Sequence, residues 1–377
     1  MSIYPEFNTL SDIARHHGAE NAERPALIFA GRETSYQQLD RYANQVAQGL
    51  SALIKPQQRF AVLTKNNDYF FELLMGAGKS GAVMACINWR LAAPEIAYIV
   101  NDSDATVIFI EQEYIPLLAE IREQLPKLET VISFDVSTDD SENYQQWRDR
   151  QLDSELGQPV AGSDIAMQLY TSGTTGNPKG VELSHRALLS LREAEHLVAP
   201  WSQWDNTDVS LVAMPLFHIG GAATGLIALY NGAAAVIMKE VIPGDIIETM
   251  KQYQVTRTFF VPAVIQLLLD HPSCEADAFK HLKVLLYGAS PIPAPLLAQA
   301  LKVFQCSFAQ VYGMTETSGS MTVLHPEDHS DPTAKKIASC GRPYPTVEIA
   351  IADDEGNHLS ADTVGEIIIK SDALMTS

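Results

Sequence analysis

Cationic residues are scarce in this chain of 377 residues: 26 Lys and Arg face 46 Asp and Glu, a formal charge of −20. A nucleic-acid surface needs a basic footprint, so that class of partner is excluded, and any anionic ligand must meet a locally positive site on an acidic body. Cysteine is rarer still. Cys86, Cys274, Cys306 and Cys340 stand far apart with no C-x-x-C pair, which argues against a disulfide framework or a zinc site and makes a reduced cytoplasm the expected compartment. The N-terminal residues Met1 to Phe7 lack the basic start and apolar core of a signal peptide. Acidic and basic residues are missing altogether from residues 209–238, a stretch long enough to span a bilayer. Pro215, Gly220, Gly221, Gly225 and the Asn231-Gly232 turn divide it into strand, loop, helix, turn and strand, so a buried core is expected and no transmembrane span.

What is present begins with bulk. Apolar residues make up 46% of the chain and charged residues 19%, a balance that excludes disorder, and the length exceeds what one hydrophobic core organises. Strand and helix patterns alternate. A strand at Ala26 to Ala30 is followed by a helix that Ser35 caps with Gln38 three residues on, and Leu39, Ala43, Val46, Leu50 and Leu53 mark its apolar face. Strands are then expected near 60–64, 83–87, 105–110 and 131–134, with helices from Asp68, from Pro94 and over 115–125. The polar, acidic segment Ser137 to Asp164 reads as a surface connection. Beyond it the alternation resumes through strands near 209–213, 233–238, 256–261 and 283–287 with helices between, and from about residue 320 strands follow without helices, as in 346–352 and 365–370.

This pattern predicts an α/β fold of two helix-covered, largely parallel β-sheet subdomains plus a small β-rich, barrel-like subdomain. The expected boundaries are 1–164 for the first sheet with its acidic connection, 165–325 for the second, and 326–377 for the β-rich end.

The stretch Tyr170 to Gly180 carries the chemistry. Thr171, Ser172, Thr174 and Thr175 supply hydroxyls, Gly173, Gly176 and Gly180 allow close backbone approach, Lys179 adds a cation, and no acidic residue intervenes. It is a phosphate cradle of an uncommon kind, because Gly180 follows Lys179 where a Walker loop needs a magnesium-binding hydroxyl. Apolar residues on both sides predict strand, loop, strand, with a helix starting only at Ser184, so loop amides and not a helix N-terminus would hold the anion. A flexible Gly/Ser/Thr linker, the alternative, requires neither flanking strands nor a fixed Pro-Lys-Gly ending.

A second constellation runs from Val311 to Thr317. Tyr312 offers a stacking face, Gly313 lets the backbone turn past Met314, Thr315 can bond a phosphate, and Glu316 is a hard oxygen ligand for magnesium. Gly288, Ala289 and Ser290 follow a strand end before Pro291, and His218 stands in the apolar run Met214 to His218 with Gly220, Gly221 and Gly225 behind it. An amino-acid pocket would need a carboxylate for the ammonium, so a neutral acyl tail suits this run better. A satisfied core histidine is the other reading of His218.

The loop at Tyr170 to Gly180 resembles the signature of the adenylate-forming, AMP-binding superfamily, which includes acyl-CoA synthetases, aryl-CoA ligases, luciferases and adenylation domains. The stretches Asn88 to Glu95 and Val364 to Asp372 look most like fatty acyl-CoA synthetases. The resemblance implies ATP-dependent activation of a carboxylic acid, a medium- or long-chain fatty acid, to acyl-AMP and then acyl-CoA, with ATP, magnesium and CoA as cofactor and co-substrates. An aryl acid, or a nucleotide-binding module without turnover, are the alternatives. It implies Thr315, Glu316 and Lys179 in catalysis, Glu316 on the metal, and Thr171, Ser172, Gly173, Thr174, Thr175, Gly176, Lys179, Gly288, Ala289, Ser290, Tyr312, Gly313, Met314 and Thr315 around the nucleotide. His218, Gly221, Gly288, Gly313 and Met314 would border the acid. Peripheral membrane contact and oligomer formation stay open. The family's Thr-Gly-Asp motif, hinge and mobile C-terminal domain with its lysine have no counterpart here, so the chain resembles the large N-terminal domain and is expected to form acyl-CoA slowly by itself.

Overall fold

The computed structural model describes residues 7–138, 141–172, 176–331 and 335–377. In the strand Arg59–Leu63, Phe60 and Val62 turn to one face while Ala61 and Leu63 turn to the other, and both faces are buried. Such two-sided burial is what a helix-covered parallel sheet requires. The strands Glu142–Asn143, Thr130–Ser133, Val107–Ile110, Arg59–Leu63, Val83–Cys86, Ile165–Thr171 and Lys179–Ser184 lie side by side in that order, parallel except for the last pair.

A second sheet of nine strands runs Arg342–Pro343, Gly319–Leu324, Ser307–Met314, Val284–Gly288, Arg257–Phe260, Val209–Val212, Ala234–Ile237, Pro25–Phe29 and Arg32–Ser35. Its centre is parallel and both ends turn antiparallel. Sheet membership does not follow chain order, since Pro25–Phe29 pairs with Ala234–Ile237 across most of the chain. The β-rich end is an antiparallel ribbon of Glu348–Ala352 with Glu366–Lys370.

One core joins the two sheets. Leu39, Ala43, Val46 and Leu50 of the helix Tyr36–Leu53, and the wholly buried helix Tyr69–Ser80, pack against Phe60 and Met84 of the first sheet and Leu27, Val212 and Ala235 of the second. The outer faces carry their own helices, Ala93–Asp102 and Ile115–Ile121 over the first sheet and Pro243–Gln252, Pro262–Leu269 and Ala294–Phe304 over the second. The expected capping box is present: the Gln38 amide donates to Ser35 Oγ at 3.2 Å and the Ser35 amide to Gln38 Oε1 at 2.8 Å. No helix of the described residues is long and apolar enough to cross a membrane, and residues 219–230 form a helix of the shared core, as their glycine and proline breaks required.

The segment from Ser137 to Asp164 departs from its reading as surface. Asn143 caps a short helix, Tyr144–Asp149, whose Tyr144, Trp147 and Arg148 are buried. Arg148 pairs with the fully buried Glu72 at 2.7 Å, and the Tyr144 hydroxyl donates to the same carboxylate at 2.9 Å. One helical turn with two aromatics, flanked by acid, is too short for its periodicity to stand out.

His185 opens the helix His185–Glu195 directly after the hydroxyl-rich hairpin, and its Nδ1 accepts from the Leu10 amide at 3.2 Å, tying the first helix to that hairpin. Burial lowers its pKa to about 4, against 6.5 for a free imidazole. The unfolded chain therefore takes up a proton that the fold refuses. Stability contributed by a neutral His185 is complete above pH ~6.5 and is lost as pH falls toward 4, by up to about 1.4 kcal/mol per pH unit. Urea titrations across that window should give a shallower decline for His185→Asn, which keeps an acceptor for Leu10 without the titration; an unchanged slope would contradict a buried neutral imidazole.

Candidate functional site

Two hairpins, one at the end of each parallel run, hold the sequence motifs. In the first, Thr171 pairs with Lys179 and Tyr170 with Gly180, so Lys179 stands exposed where the turn re-enters the sheet. Ser172 and Gly176 are exposed on either side, while Gly173, Thr174 and Thr175 lie outside the described residues. The Tyr170 hydroxyl donates to Asp102 Oδ2 at 2.8 Å and fastens the hairpin to the helix Ala93–Asp102. Burial first, and then that carboxylate, raises the Tyr170 pKa.

In the second hairpin the strand Ser307–Met314 returns as Gly319–Leu324, with a register shift between Tyr312 and Gly313. A Cβ at Gly313 would collide with the Gly319 carbonyl, so only glycine fits. The turn Thr315–Thr317 is locked by Thr317, whose buried hydroxyl accepts from the Met314 amide at 3.0 Å and donates to the Gly319 carbonyl at 2.7 Å. Thr315 and Glu316 are thereby presented from a turn held at both ends, each partly exposed.

The two hairpins touch. The strand Lys179–Ser184 packs on the turn Thr315–Thr317. Residues 375–377 bridge them: the Met375 amide donates to the Glu316 carbonyl at 2.8 Å, the Thr376 amide to the Glu182 carbonyl at 2.9 Å, and the Glu182 amide to the Ser377 carbonyl at 2.9 Å. Loops 140 residues apart in sequence are thus brought to one edge of the molecule by the antiparallel closure of both sheets.

Behind the second hairpin opens a cavity of about 450 Å³, within the range of small-molecule sites. Of the residues selected from sequence, its wall contains His218, Gly221, Ala289, Gly313, Met314 and Thr315. Gly288, Ser290, Tyr312 and Glu316 adjoin these along the chain without lining the cavity, and Thr171, Ser172, Gly176 and Lys179 stand on the neighbouring hairpin. Ala289 holds a left-handed backbone with φ 65°, strained for a residue with a Cβ, at the strand end that faces the cavity.

His218 is exposed at the cavity wall and is not a core histidine. Partial burial, and then the Arg90 guanidinium, lower its pKa. Gly221 lines the cavity and sits where the backbone leaves no space for a side chain. A Cβ there would strike the Met214 and Pro215 carbonyls, while Gly225 faces Phe71 in the shared core.

Other residues at or behind the cavity were not selected from sequence. Asn66 does not line it but is buried behind its wall; its Nδ2 donates to the Met214 carbonyl at 3.0 Å and its Oδ1 accepts from the Leu216 amide at 2.8 Å, so it fixes the segment that leads to His218. Phe259 and Leu286 come from sheet strands, and Arg192 and Glu195 from the helix His185–Glu195. An asparagine after a strand carries no sequence signal for a bond to a segment 150 residues away, and charges three apart on a helix read as solvated.

Fold and paired loops define a nucleotide-binding activating enzyme, and the AMP-binding enzyme family matches residues 14–377. The chain belongs to that family. It is 34% identical over 377 residues to the fatty acid–[acyl-carrier-protein] ligase ScoC of Streptomyces coeruleorubidus, covering 99% of this chain and 70% of that protein. It is 30% identical to a feruloyl-CoA synthase of an Amycolatopsis species, covering 93% of this chain and 67% of that protein. The inhibitor-bound N-terminal domain of FACL13 from Mycobacterium tuberculosis superposes with a TM-score of 0.89 at 26% identity, over 98% of this chain and 90% of that one.

Asn66→Ala would leave the Met214 carbonyl and Leu216 amide buried without partners, a loss of about 2–3 kcal/mol. The denaturant midpoint should fall accordingly with an unchanged m-value, and a midpoint within error of the parent chain would show that Asn66 does not hold this segment.

Proposed function

We propose that this chain binds ATP and a carboxylic acid and joins them as an acyl-adenylate, in an AMP-forming acid–thiol ligase that passes the acyl group to CoA. The acid is a medium- or long-chain fatty acid, and the enzyme works in the cytoplasm. The supporting observation is one cavity, walled mainly by apolar residues such as Met214, Ile219, Ile227, Phe259 and Leu286, that opens at Gly313, Met314 and Thr315 beside the hairpin bearing Lys179. An acyl tail fills the apolar end and the carboxylate lies at the motif end.

In this reading Tyr312 stacks on adenine, the backbone of Gly288, Ala289 and Ser290 borders the nucleotide, and Thr171 through Gly176 with Lys179 surround the phosphates. A carboxylate oxygen attacks the α-phosphorus, a new P–O bond forms, and the bond to pyrophosphate breaks. Thr315 and Lys179 offset the negative charge that gathers on the phosphate oxygens. In the second step the thiol sulfur attacks the acyl carbon, the C–S bond forms, and AMP leaves with its oxygen. His218 and Gly221 border the acid.

Magnesium fits Glu316 by donor chemistry. No three His, Cys, Asp or Glu side chains cluster as a metal site among the described residues, and a cation that binds through one carboxylate and substrate phosphates needs no such cluster. When bound it would shield phosphate charge.

The relative named for feruloyl-CoA favours keeping an aryl acid as the second reading, because aliphatic and aromatic tails suit the same apolar wall. Pyrophosphate release should be measured with fatty and aryl acids across chain lengths, with CoA and acyl carrier protein compared as thiol acceptors. Glu316→Gln should lower acid-dependent release at least about a hundredfold, with the adenylate undetected by mass spectrometry. Release that is unchanged in Glu316→Gln, or absent with every acid in the parent chain, would sink the assignment.

A further inference from the structure

The cavity is built in layers, and three elements mark the same layers. Along the strand Arg257–Phe260 and its continuation, residues two apart share a face. Val261 lines the 450 Å³ chamber alone, Phe259 lines both the chamber and a second cavity of about 40 Å³, and Arg257 lines the second cavity alone. The neighbouring strand has Leu286 opposite Phe259 and Val284 opposite Arg257, and it repeats the order as Ala289, Leu286 and Val284. The helix His185–Glu195 and the turn after it repeat it again as Arg192, Glu195 and Val198. The helix Ile219–Tyr230 starts at the rim beside His218 and descends along the same wall, Gly220 and Ala223 lining the chamber alone and Ile227 lining both cavities.

Phe259 closes the shared layer. Its ring reaches from the sheet to that helix, where a Cβ on Gly220 would meet Phe259 Cε1 at 3.1 Å. The ring packs against apolar clusters on both sides, the outer one with Phe260 and Leu285 and the inner one with Val311 and Met321. The Glu195 carboxylate, in the same layer, is paired with Arg192 at 3.4 Å. Behind the ring the small cavity ends on Trp201, Trp204 and the buried Tyr344. This floor is held in place: the Arg257 guanidinium lies 4.5 Å from the centre of the Trp204 ring, and Trp201 Nε1 donates to His325 Nδ1 at 3.3 Å. The space between ring and floor takes about three water-sized groups.

Strand register converts these layers into a depth. Leu286 pairs with Ala309, and Gly313 stands four residues further along that strand, about 13 Å above the Phe259–Leu286 layer. With carbon–carbon bonds of about 1.5 Å, an extended tail covers this distance in about ten carbons. We infer that Phe259 is the stop for the acyl tail, so that the acid activated here is a medium-chain acid of about ten carbons. The inference rests on the acid-binding assignment, which puts the carboxylate at Gly313 and Thr315. Phe259 then determines specificity by excluding longer tails, and the small cavity is room that a tail reaches only when the ring is removed.

The experiment uses non-hydrolysable acyl-sulfamoyl adenosines as mimics of the adenylate, with saturated tails of six to sixteen carbons, titrated into the chain by calorimetry so that no turnover is needed. Affinity should rise about tenfold for each two carbons, reach a maximum between eight and twelve, and then fall. In Phe259→Ala the maximum should move out by about four to six carbons, because the next layer lies about 7 Å deeper. Leu286→Ala, which opens the other half of the same layer, should move it in the same direction. The length series on the parent chain decides the matter even if both variants fail to fold. An affinity that rises unbroken through sixteen carbons, or a maximum that both variants leave in place, overturns the inference and leaves acid binding standing. Sulfamoyl adenosine binding unimproved by any acyl tail overturns both.

Discussion

Antiparallel closure is the constraint on which the site depends. A parallel strand ends far from the start of its neighbour and sends its successor across a helix, so two loops at the ends of two parallel runs have no local means of meeting. Here each run finishes in a hairpin, Ile165–Thr171 with Lys179–Ser184 and Ser307–Met314 with Gly319–Leu324, and the returning strand of the first packs on the turn of the second. Residues 375–377 add three backbone bonds that hold Glu316 and Glu182 at a fixed offset. At about 1 kcal/mol net apiece these bonds matter little to global stability. Their effect is on geometry, because they fix the offset between the two hairpins, and a displacement of about an ångström between groups that act together is costly in rate.

The chain's acidity sets the second condition. With 20 more acidic than basic residues the long-range field repels a nucleotide, and at physiological salt that field fades beyond about 8 Å. What counts is the inventory at contact distance. The first hairpin offers Thr171, Ser172 and Lys179, and the acids beside it are engaged: Asp102 accepts from the Tyr170 hydroxyl at 2.8 Å, and Glu182 pairs with Arg59 and accepts from the Ser377 hydroxyl at 2.5 Å. Local donors therefore decide the sign of the site while the remaining charge stays on the solvated surface.

Much of this was legible in the sequence for identifiable reasons. Strands buried on both faces write continuous apolar runs, and Phe60 to Thr64, Val83 to Ile87 and Thr256 to Val261 were each placed within one to two residues. Ser35 and Gln38 announced their helix because a capping box is a local device, complete within four residues. The motif residues His218, Ala289, Gly313 and Thr315 met in one cavity because each stands at the C-terminal end of a strand or just past it, on one rim of the second sheet. What stayed hidden is non-local. Asn66 bonds a segment in the other half of the chain, the Tyr144 to Arg148 turn is buried by its partner Glu72, and a side chain at Gly221 would strike the Met214 and Pro215 carbonyls. None of these carries a period or a spacing.

Some departures from local rules lie at the cavity. Among non-glycine residues with left-handed backbones, Gln305 follows a helix and Ala30 sits in a hairpin turn, positions where such geometry is routine, whereas Ala289 and Ser318 flank the cavity and its motif turn. The same wall holds a buried ion pair with an unused donor and an unused acceptor. A fold selected for stability alone would relax these positions: glycine suits the backbone of Ala289, and two apolar side chains are often neutral or favourable in place of a buried pair. Glu72, paired with both Arg148 and Tyr144, shows a buried charge that is answered from two sides. Left-handed backbones also occur away from the cavity, at Gln57, Asp104, Gln254 and Asp362, so the strain at Ala289 bears on the site through its position on the cavity wall, where the strand Val284–Gly288 ends.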